Sequence, residues 1–234
     1  MKAIILAAGM GRRLEGMGWA APKCLLPING RTLLQNALES LPKSMDGIAV
    51  VVGHERALVE RELTRLGARG TLVHNPDFAT TNTLRSLWLA REHMAGGFLY
   101  FNGDVMFDAP IVASLVARAE SALAIARKPC GEEEVKVILS ADERVTRIGK
   151  RLPPANCAGE FIGVGCFDAN AATNLGDTLD RWNANPSNHN RFFEDALDET
   201  LADTTILGSP IEPWRAVEID TPEDYALARR LWES

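Results

Sequence analysis

Several segments of the chain carry residue types suited to handling a phosphate. Near the N-terminus, Leu6-Ala7-Ala8-Gly9-Met10-Gly11-Arg12-Arg13-Leu14 joins two glycines to two cations, and Pro22-Lys23 adds a third cation. Glycine lacks a Cβ, so its backbone can wrap an anion and present N–H groups to it. The cations then neutralise the charge. Further on, Asn102-Gly103-Asp104 and Glu218-Ile219-Asp220 supply carboxylates. Carboxylates beside a phosphate site suit Mg²⁺, which takes a few such oxygens together with waters and substrate phosphates. The chemistry implied is that of a nucleoside triphosphate. Two familiar phosphate loops are excluded: the dinucleotide fingerprint needs a third glycine where Leu14 stands, and no Gly-Lys-Ser/Thr follows this segment.

These residues act together only if elements deliver them to one edge. Ala3 to Leu6 is a short apolar run, which predicts a buried strand feeding the glycine turn. Ile48 to Gly53 predicts a parallel strand buried on both faces, and Glu55 to Leu66 a helix that ends at Gly67. Thr71 to His74 reads as a strand, Thr83 to Met94 as a helix, and Phe98 to Phe101 as a strand running into Asn102-Gly103-Asp104. This alternation predicts an α/β fold with a Rossmann-like, mostly parallel sheet flanked by helices, its ligands at the carboxyl ends of the strands. Beyond residue 120 the pattern changes: Ala122–Ala126, Val135–Leu139, Arg144–Ile148 and Glu160–Phe167 predict added antiparallel strands. Asp168–Trp182 and Arg191–Leu201 predict helices, Ala216–Asp220 a late strand, and Pro222–Trp232 a closing helix capped by Thr221. Strand alternation sends Glu218 and Asp220 to one side and Ile219 to the other. Asp220 has two readings, a metal carboxylate or a helix cap. Asn183 to Asn190 is the loop or lid candidate. With no repeat or linker in view, residues 1–234 are expected to form one domain, 1–120 its nucleotide-binding half and 121–234 the half that would bind an acceptor.

Composition narrows the partners. The formal charge of −6 excludes a broad nucleic-acid surface, so any anion must be met by a local cluster. Cys24, Cys130, Cys157 and Cys166 contain no C-x-x-C pair and read as reduced, packed thiols. The four histidines show no shared metal spacing, and Glu132-Glu133-Glu134 reads as a solvated turn. The apolar start is too short for the core of a signal peptide, which predicts a cytoplasmic protein without membrane insertion. The oligomeric state is left open, a homo-oligomer included.

The pattern L-A-A-G-x-G-x-R-L followed by P-K resembles the signature of the sugar-nucleotidyltransferase superfamily. Within it the chain looks similar to bacterial phosphocholine cytidylyltransferases, and more distantly to inositol-phosphate and aminoethylphosphonate cytidylyltransferases. The matching pieces are the first loop, Asn75-Pro76, Thr81-Asn82-Thr83-Leu84-Arg85-Ser86-Leu87, Gly103-Asp104, Glu160-Phe161-Ile162-Gly163-Val164, Phe193-Glu194-Asp195-Ala196-Leu197 and Glu218-Ile219-Asp220. The resemblance implies an enzyme that joins a small phosphorylated acceptor to CMP from CTP, releasing pyrophosphate with the help of Mg²⁺. It implies that Leu6, Ala7, Ala8, Gly9, Gly11, Arg12, Asn82, Ser86 and Gly103 bind the nucleotide. Arg13 would hold the β- and γ-phosphates, Lys23 would bridge the α-phosphate and the attacking group, and Asp104 and Asp220 would hold Mg²⁺. Glu160, Glu194, Phe193, Trp214 and Glu218 are the acceptor candidates, with Trp182 and Phe192 in the same half; aromatics with a carboxylate suit a quaternary ammonium. Two departures stand out. Asn82-Thr83 and Arg85 replace the two asparagines and tyrosine common in that branch, and Arg12 replaces a small hydroxyl residue. A sugar 1-phosphate with UTP or dTTP is the alternative within this chemistry. A non-catalytic nucleotide-binding regulator is the alternative of another class, against which the joint presence of Arg13, Lys23, Asp104 and Asp220 speaks.

Overall fold

In the computed structural model, which describes residues 1–233, the opening apolar run is β1 (Lys2–Ala7), with Ala3, Ile4 and Ile5 fully buried. Burying each large side chain contributes about 1.5–3 kcal/mol, which draws a strand without polar alternation to the centre of a sheet. A small ribbon, β2 (Pro27–Ile28) and β3 (Arg31–Thr32), leads into α1 (Leu33–Ser40), whose cap Thr32 accepts from Gln35 N through Oγ1. The first half continues as β4 (Ile48–Val52), α2 (Arg56–Arg65), β5 (Thr71–His74), α3 (Thr83–Leu89), β6 (Phe98–Asn102), β7 (Val105–Phe107) and α4 (Pro110–Val116). The second half adds β8 (Ala122–Ala126), β9 (Lys136–Leu139), β10 (Val145–Gly149), β11 (Gly159–Phe167) and α5 (Ala169–Asn183). It closes with α6 (Phe193–Thr200), β12 (Leu207–Pro210), β13 (Ala216–Glu218) and α7 (Pro222–Trp232).

Nine strands share one mixed sheet with a parallel centre, β6-β1-β4-β5, in which Ile5 lies opposite Phe101 on one side and Val50 on the other. As expected, β11 pairs antiparallel with β6, β8 and β9, and β9 with β10, whereas β12, a strand the sequence pattern does not predict, runs parallel to β8. Alternate residues of β1 feed two cores. Ile4 and Leu6 face α3, α5 and α6, with Leu87, Tyr100, Leu175 and Phe193. Ala3 and Ile5 face α1, α2 and α4, with Leu34, Val59, Phe101 and Ile111. Helices therefore flank both faces, the α/β architecture the sequence predicts.

A third apolar cluster positions the site. Leu14 from the glycine loop, Leu26, Ile28, Met106, Ile219 and Ala228 of α7 pack together, tying the N-terminal loop to the C-terminal end of the chain. Thr221 caps α7 in a capping box with Asp224, and Pro222 opens the helix.

Some expectations are revised. The helix expected over Thr83–Met94 ends at Leu89, and a separate 3₁₀ turn spans Arg91–His93. The segment 183–190 holds a 3₁₀ turn at Pro186–Asn188 and braces α3, since Asn82 N donates to His189 O and Leu84 N to Arg191 O. Cys24 and Cys166 are packed, whereas Cys130 and Cys157 are only partly buried. Among the described residues no helix is long and apolar enough to cross a membrane.

Candidate active site

A cavity of about 500 Å³ opens where β1 and β6 end, and the glycine loop forms one wall. Leu6, Ala8, Gly9, Gly11, Arg12 and Arg13 line it, with Lys23 from the next turn. Gly11 has a φ of +64°, and a Cβ there would come 3.1 Å from Lys23 Cγ, so glycine lets the chain turn tightly over the lysine stem. Gly9 differs: a Cβ there would meet nothing within 4 Å. The fold does not require glycine at that position; a ligand approaching the backbone would.

The charges converge on Lys23. Its Nζ donates to Asp104 Oδ2 at 3.3 Å and to Asp220 Oδ1, and Arg13 Nη1 donates to Asp220 Oδ2 at 3.1 Å. Burial alone would lower the lysine pKa, but Asp104 and Asp220 outweigh it and hold Lys23 above its usual value. Burial likewise pushes Asp220 up, and Lys23 and Arg13 prevail to hold it below the usual carboxylate range. Arg13 also lies 3.9 Å from Glu133, so the acidic turn reaches the loop. Asp220 does not cap α7, because Thr221 does.

Pairing of β7 with β13 brings the carboxylates together. Glu218 lies opposite Val105, and Ile219 N donates to Asp104 O at 2.9 Å. One oxygen each from Asp104, Glu218 and Asp220 then lies within 4.8 Å of the others. Burial, reinforced by Asp104 and Asp220, pushes Glu218 up to about 8. Three hard oxygen donors that repel one another fit Mg²⁺. Glu218, considered above on the acceptor side, stands with the two metal candidates.

Other candidates separate. Ala7 belongs to a core cluster. Gly103 sits outside the cavity lining: its N donates to Leu6 O, and a Cβ would come 2.6 Å from that oxygen, so its bareness sets β6 against β1 and places Asp104. Asn82 and Ser86 line the cavity. Asn82 caps α3, its Oδ1 accepting from Thr83 N at 2.8 Å, and Ser86 Oγ accepts from Asn75 Nδ2 at 3.1 Å. Glu194 is buried in the cavity wall, and burial pushes it up to about 7.

The expected aromatic acceptor pocket is not assembled. Phe193 is fully buried beside Tyr100, with ring centroids 4.4 Å apart, because its place in the first turn of α6 turns it inward to the core. Trp214 packs against the core on the opposite face of the sheet, and Trp182 lines a different cavity. Glu160 pairs with Lys128 at 2.7 Å and does not line the site. Phe192 does line it, with Lys150 Nζ 4.7 Å over its ring. Phe78, Asn102 and Lys150 are lining residues that sequence reasoning passed over. Lys150 follows Gly149 at the end of β10, so the strand-end rule that singled out Asp104 could have found it. The arrangement can hold a chain of phosphates between Arg12, Arg13, Lys23 and Lys150, with a divalent cation at its centre.

Comparison with known proteins places the chain in a family. The chain is 25% identical over 226 residues to a choline-phosphate cytidylyltransferase of Streptococcus pneumoniae, covering 96% of this chain and 95% of that protein. It is 38% identical over 133 residues to a CMP-5'-(3-aminopropyl)phosphonate synthase of Streptomyces rubellomurinus, 55% of this chain but only 21% of that longer protein. The solved CTP:phosphocholine cytidylyltransferase from Streptococcus pneumoniae superposes with a TM-score of 0.83 at 22% identity, covering 99% of both chains. The inositol-1-phosphate CTP transferase from T. maritima gives 0.80 at 22% identity, covering 100% of this chain and 96% of that one. These two likenesses show the shared fold. Residues 3–163 match the MobA-like NTP transferase domain, and the chain belongs to that family of nucleotidyltransferases.

Proposed function

We propose that the protein joins a small phosphorylated or phosphonate acceptor to CMP drawn from CTP, releasing pyrophosphate. The observation that carries this reading is Lys23 set between Asp104 and Asp220, under a glycine loop that also presents Arg12 and Arg13. An acceptor oxygen attacks the α-phosphorus in line, the bond to the bridging oxygen breaks, and pyrophosphate departs. The acceptor phosphate is already largely ionised near neutrality, so no protein base is needed. Catalysis then rests on positioning and on neutralising charge as it develops.

Lys23 meets the charge on the α-phosphate, while Arg13, assisted by Arg12, holds the departing pyrophosphate. Lys150 lines the same cavity and would steady the acceptor phosphate. Asp104, Glu218 and Asp220 would hold Mg²⁺, which supplies Lewis-acid neutralisation at the phosphates. Asn82 and Ser86 flank the region where the base would stack. The choice of CTP is supported by the relatives, whose names specify cytidylyl transfer.

Pyrophosphate release measured across CTP, UTP, ATP, GTP and dTTP, with a panel of phosphorylated acceptors, tests the reading. CTP with an aminoalkyl, choline or polyol phosphate or phosphonate should give the highest kcat/KM. A preference for UTP or dTTP with a sugar 1-phosphate would replace the proposal.

A further inference from the structure

The order of strands in the sheet forces one connector to cross the start of a neighbouring strand. Glu160, near the start of β11, lies opposite Ala126 of β8 on one side and Lys136 of β9 on the other. Residues 127–135 join β8 to β9, so they must pass over the entry to β11, two strand spacings or about 10 Å across. Cys130 and Gly131 stand midway along that connector, and Cys157 stands just ahead of β11. The crossing brings together two cysteines that lie far apart in the chain.

The connector is held on this path by its own bonds. Lys136 is fully buried, and its Nζ donates to Gly131 O at 2.9 Å, Glu132 O at 3.0 Å and Glu134 O at 3.2 Å. Gly131 N donates to Glu134 Oε2 at 2.8 Å, and Lys128 reaches across to pair with Glu160. On the other side of the crossing, Cys157 Sγ donates to Pro154 O at 3.1 Å, within the turn that leads into β11. Partial burial and a hydrogen bond with the Cys157 thiol push Cys130 up to about 12, and Glu160 and Glu134 add to the effect. Both thiols stay partly open to solvent, unlike Cys24 and Cys166.

We propose that Cys130 and Cys157 form a redox modification site, closing to a disulfide when a small disulfide such as glutathione disulfide acts as oxidant. Cys130 is held protonated, so Cys157 attacks first, as its thiolate. One sulfur of the small disulfide is captured as a mixed disulfide, and the other departs as a thiolate. Cys130 then gives its proton to solvent and attacks Cys157 Sγ, expelling the second thiolate. Two electrons pass from the cysteines to the small disulfide, which leaves as two thiols. The link ties the connector to the start of β11. That connector carries Glu133, 3.9 Å from Arg13, and runs into Val135 in the cavity wall, so the oxidised protein has a fixed segment beside the site. The link is independent of the nucleotidyl transfer proposed above.

The test incubates the folded full chain with glutathione disulfide and maps its peptides by mass spectrometry without reduction. Cleavage after Glu160 separates Cys157 from Cys166, so each thiol can be followed by itself. The expected product is a Cys130–Cys157 link lacking two hydrogens, carrying no glutathione and reversed by dithiothreitol. Closing the loop from 130 to 157 should raise the melting temperature by about 5 °C or more. Cys130→Ser should stop at a single glutathione on Cys157 and keep the melting temperature of the reduced protein. If that variant does not fold, the wild-type peptide map decides alone. Separate glutathione adducts on the two cysteines, a link to Cys24 or Cys166, a link between two molecules, or no reaction would each overturn the proposal.

Discussion

At the scale of single residues, the site separates positions that serve the fold from those that serve a ligand. Gly9 is the clearest case, because its missing side chain leaves open space. Gly9→Ala should keep the wild-type melting temperature or raise it slightly, since alanine reduces the freedom of the unfolded chain. Triphosphate affinity should fall about tenfold or more, equivalent to ~1.4 kcal/mol, as measured by calorimetry. Unchanged affinity would show that phosphates do not approach this backbone. Lys23 serves charge rather than packing, so Lys23→Ala should fold and lose about 10²-fold or more in kcat, as for one preorganised electrostatic contact. Near wild-type turnover in a folded Lys23→Ala protein would remove it from the chemistry. The loop and Lys23 were legible in the sequence because both lie within one short segment whose composition is its own signal.

At the scale of elements, α3 shows how a helix end shapes the base site. Asn82 Oδ1 accepts from Thr83 N, and its second lone pair and its amide N–H₂ are both left to meet a base. The oxygen can accept from the cytosine amine while the N–H₂ donates to the adjacent ring nitrogen, so Asn82 can take part in the choice of base. Asn82→Ala should cost about 1 kcal/mol of stability through the lost cap. It should also narrow the CTP-over-UTP ratio in kcat/KM. A lower melting temperature with the ratio untouched would leave Asn82 as a cap alone. The brace from 183–190 onto α3 was not legible in the sequence, because it depends on backbone bonds between segments about a hundred residues apart. The start of α3 at Thr83 was legible and its end at Leu89 was not. The periodicity of 83–94 continues through the 3₁₀ turn, and apolar spacing does not distinguish the two helix types.

At the scale of the whole molecule, the buried carboxyls set a pH dependence. Glu194 is pushed up to about 7 and Glu218 to about 8 from an ordinary value of 4.5. Between these values the folded protein binds more protons than the unfolded chain. The stability they contribute is therefore full below the unfolded pKa and is lost as pH rises through the folded values. Asp220 and Asp168 lie below their usual range, and their contribution disappears only in stronger acid. His93, lowered by burial, acts weakly in the opposite direction. Without Mg²⁺, denaturant midpoints should decline from roughly pH 5 to roughly pH 8. Mg²⁺ should flatten the upper part of that decline by stabilising ionised Glu218, and Glu194→Gln should remove the lower part. A profile that stays flat or rises across this window in metal-free protein would refute the assignment.

Local pattern alone was enough to set β1, β4 and β6, the glycine loop, the capped start of α7, and the candidacy of Lys23, Asp104 and Asp220. Each depends on residues close in the chain: apolar runs without alternation, glycines beside cations, and a threonine before proline. Tertiary structure decided what meets what. Glu218 joins Asp104 and Asp220 through the pairing of β7 with β13, and Leu14 and Ile219 lock the two ends of the chain around them. The phase of α6 at its first turn put Phe193 in the core and left Phe192 and Glu194 in the cavity wall. Lys150 entered the site because β10 ends there. The physical reason is the range of the forces involved. Propensity and capping act within a few residues, whereas burial and charge act between groups that only the folded chain brings into contact.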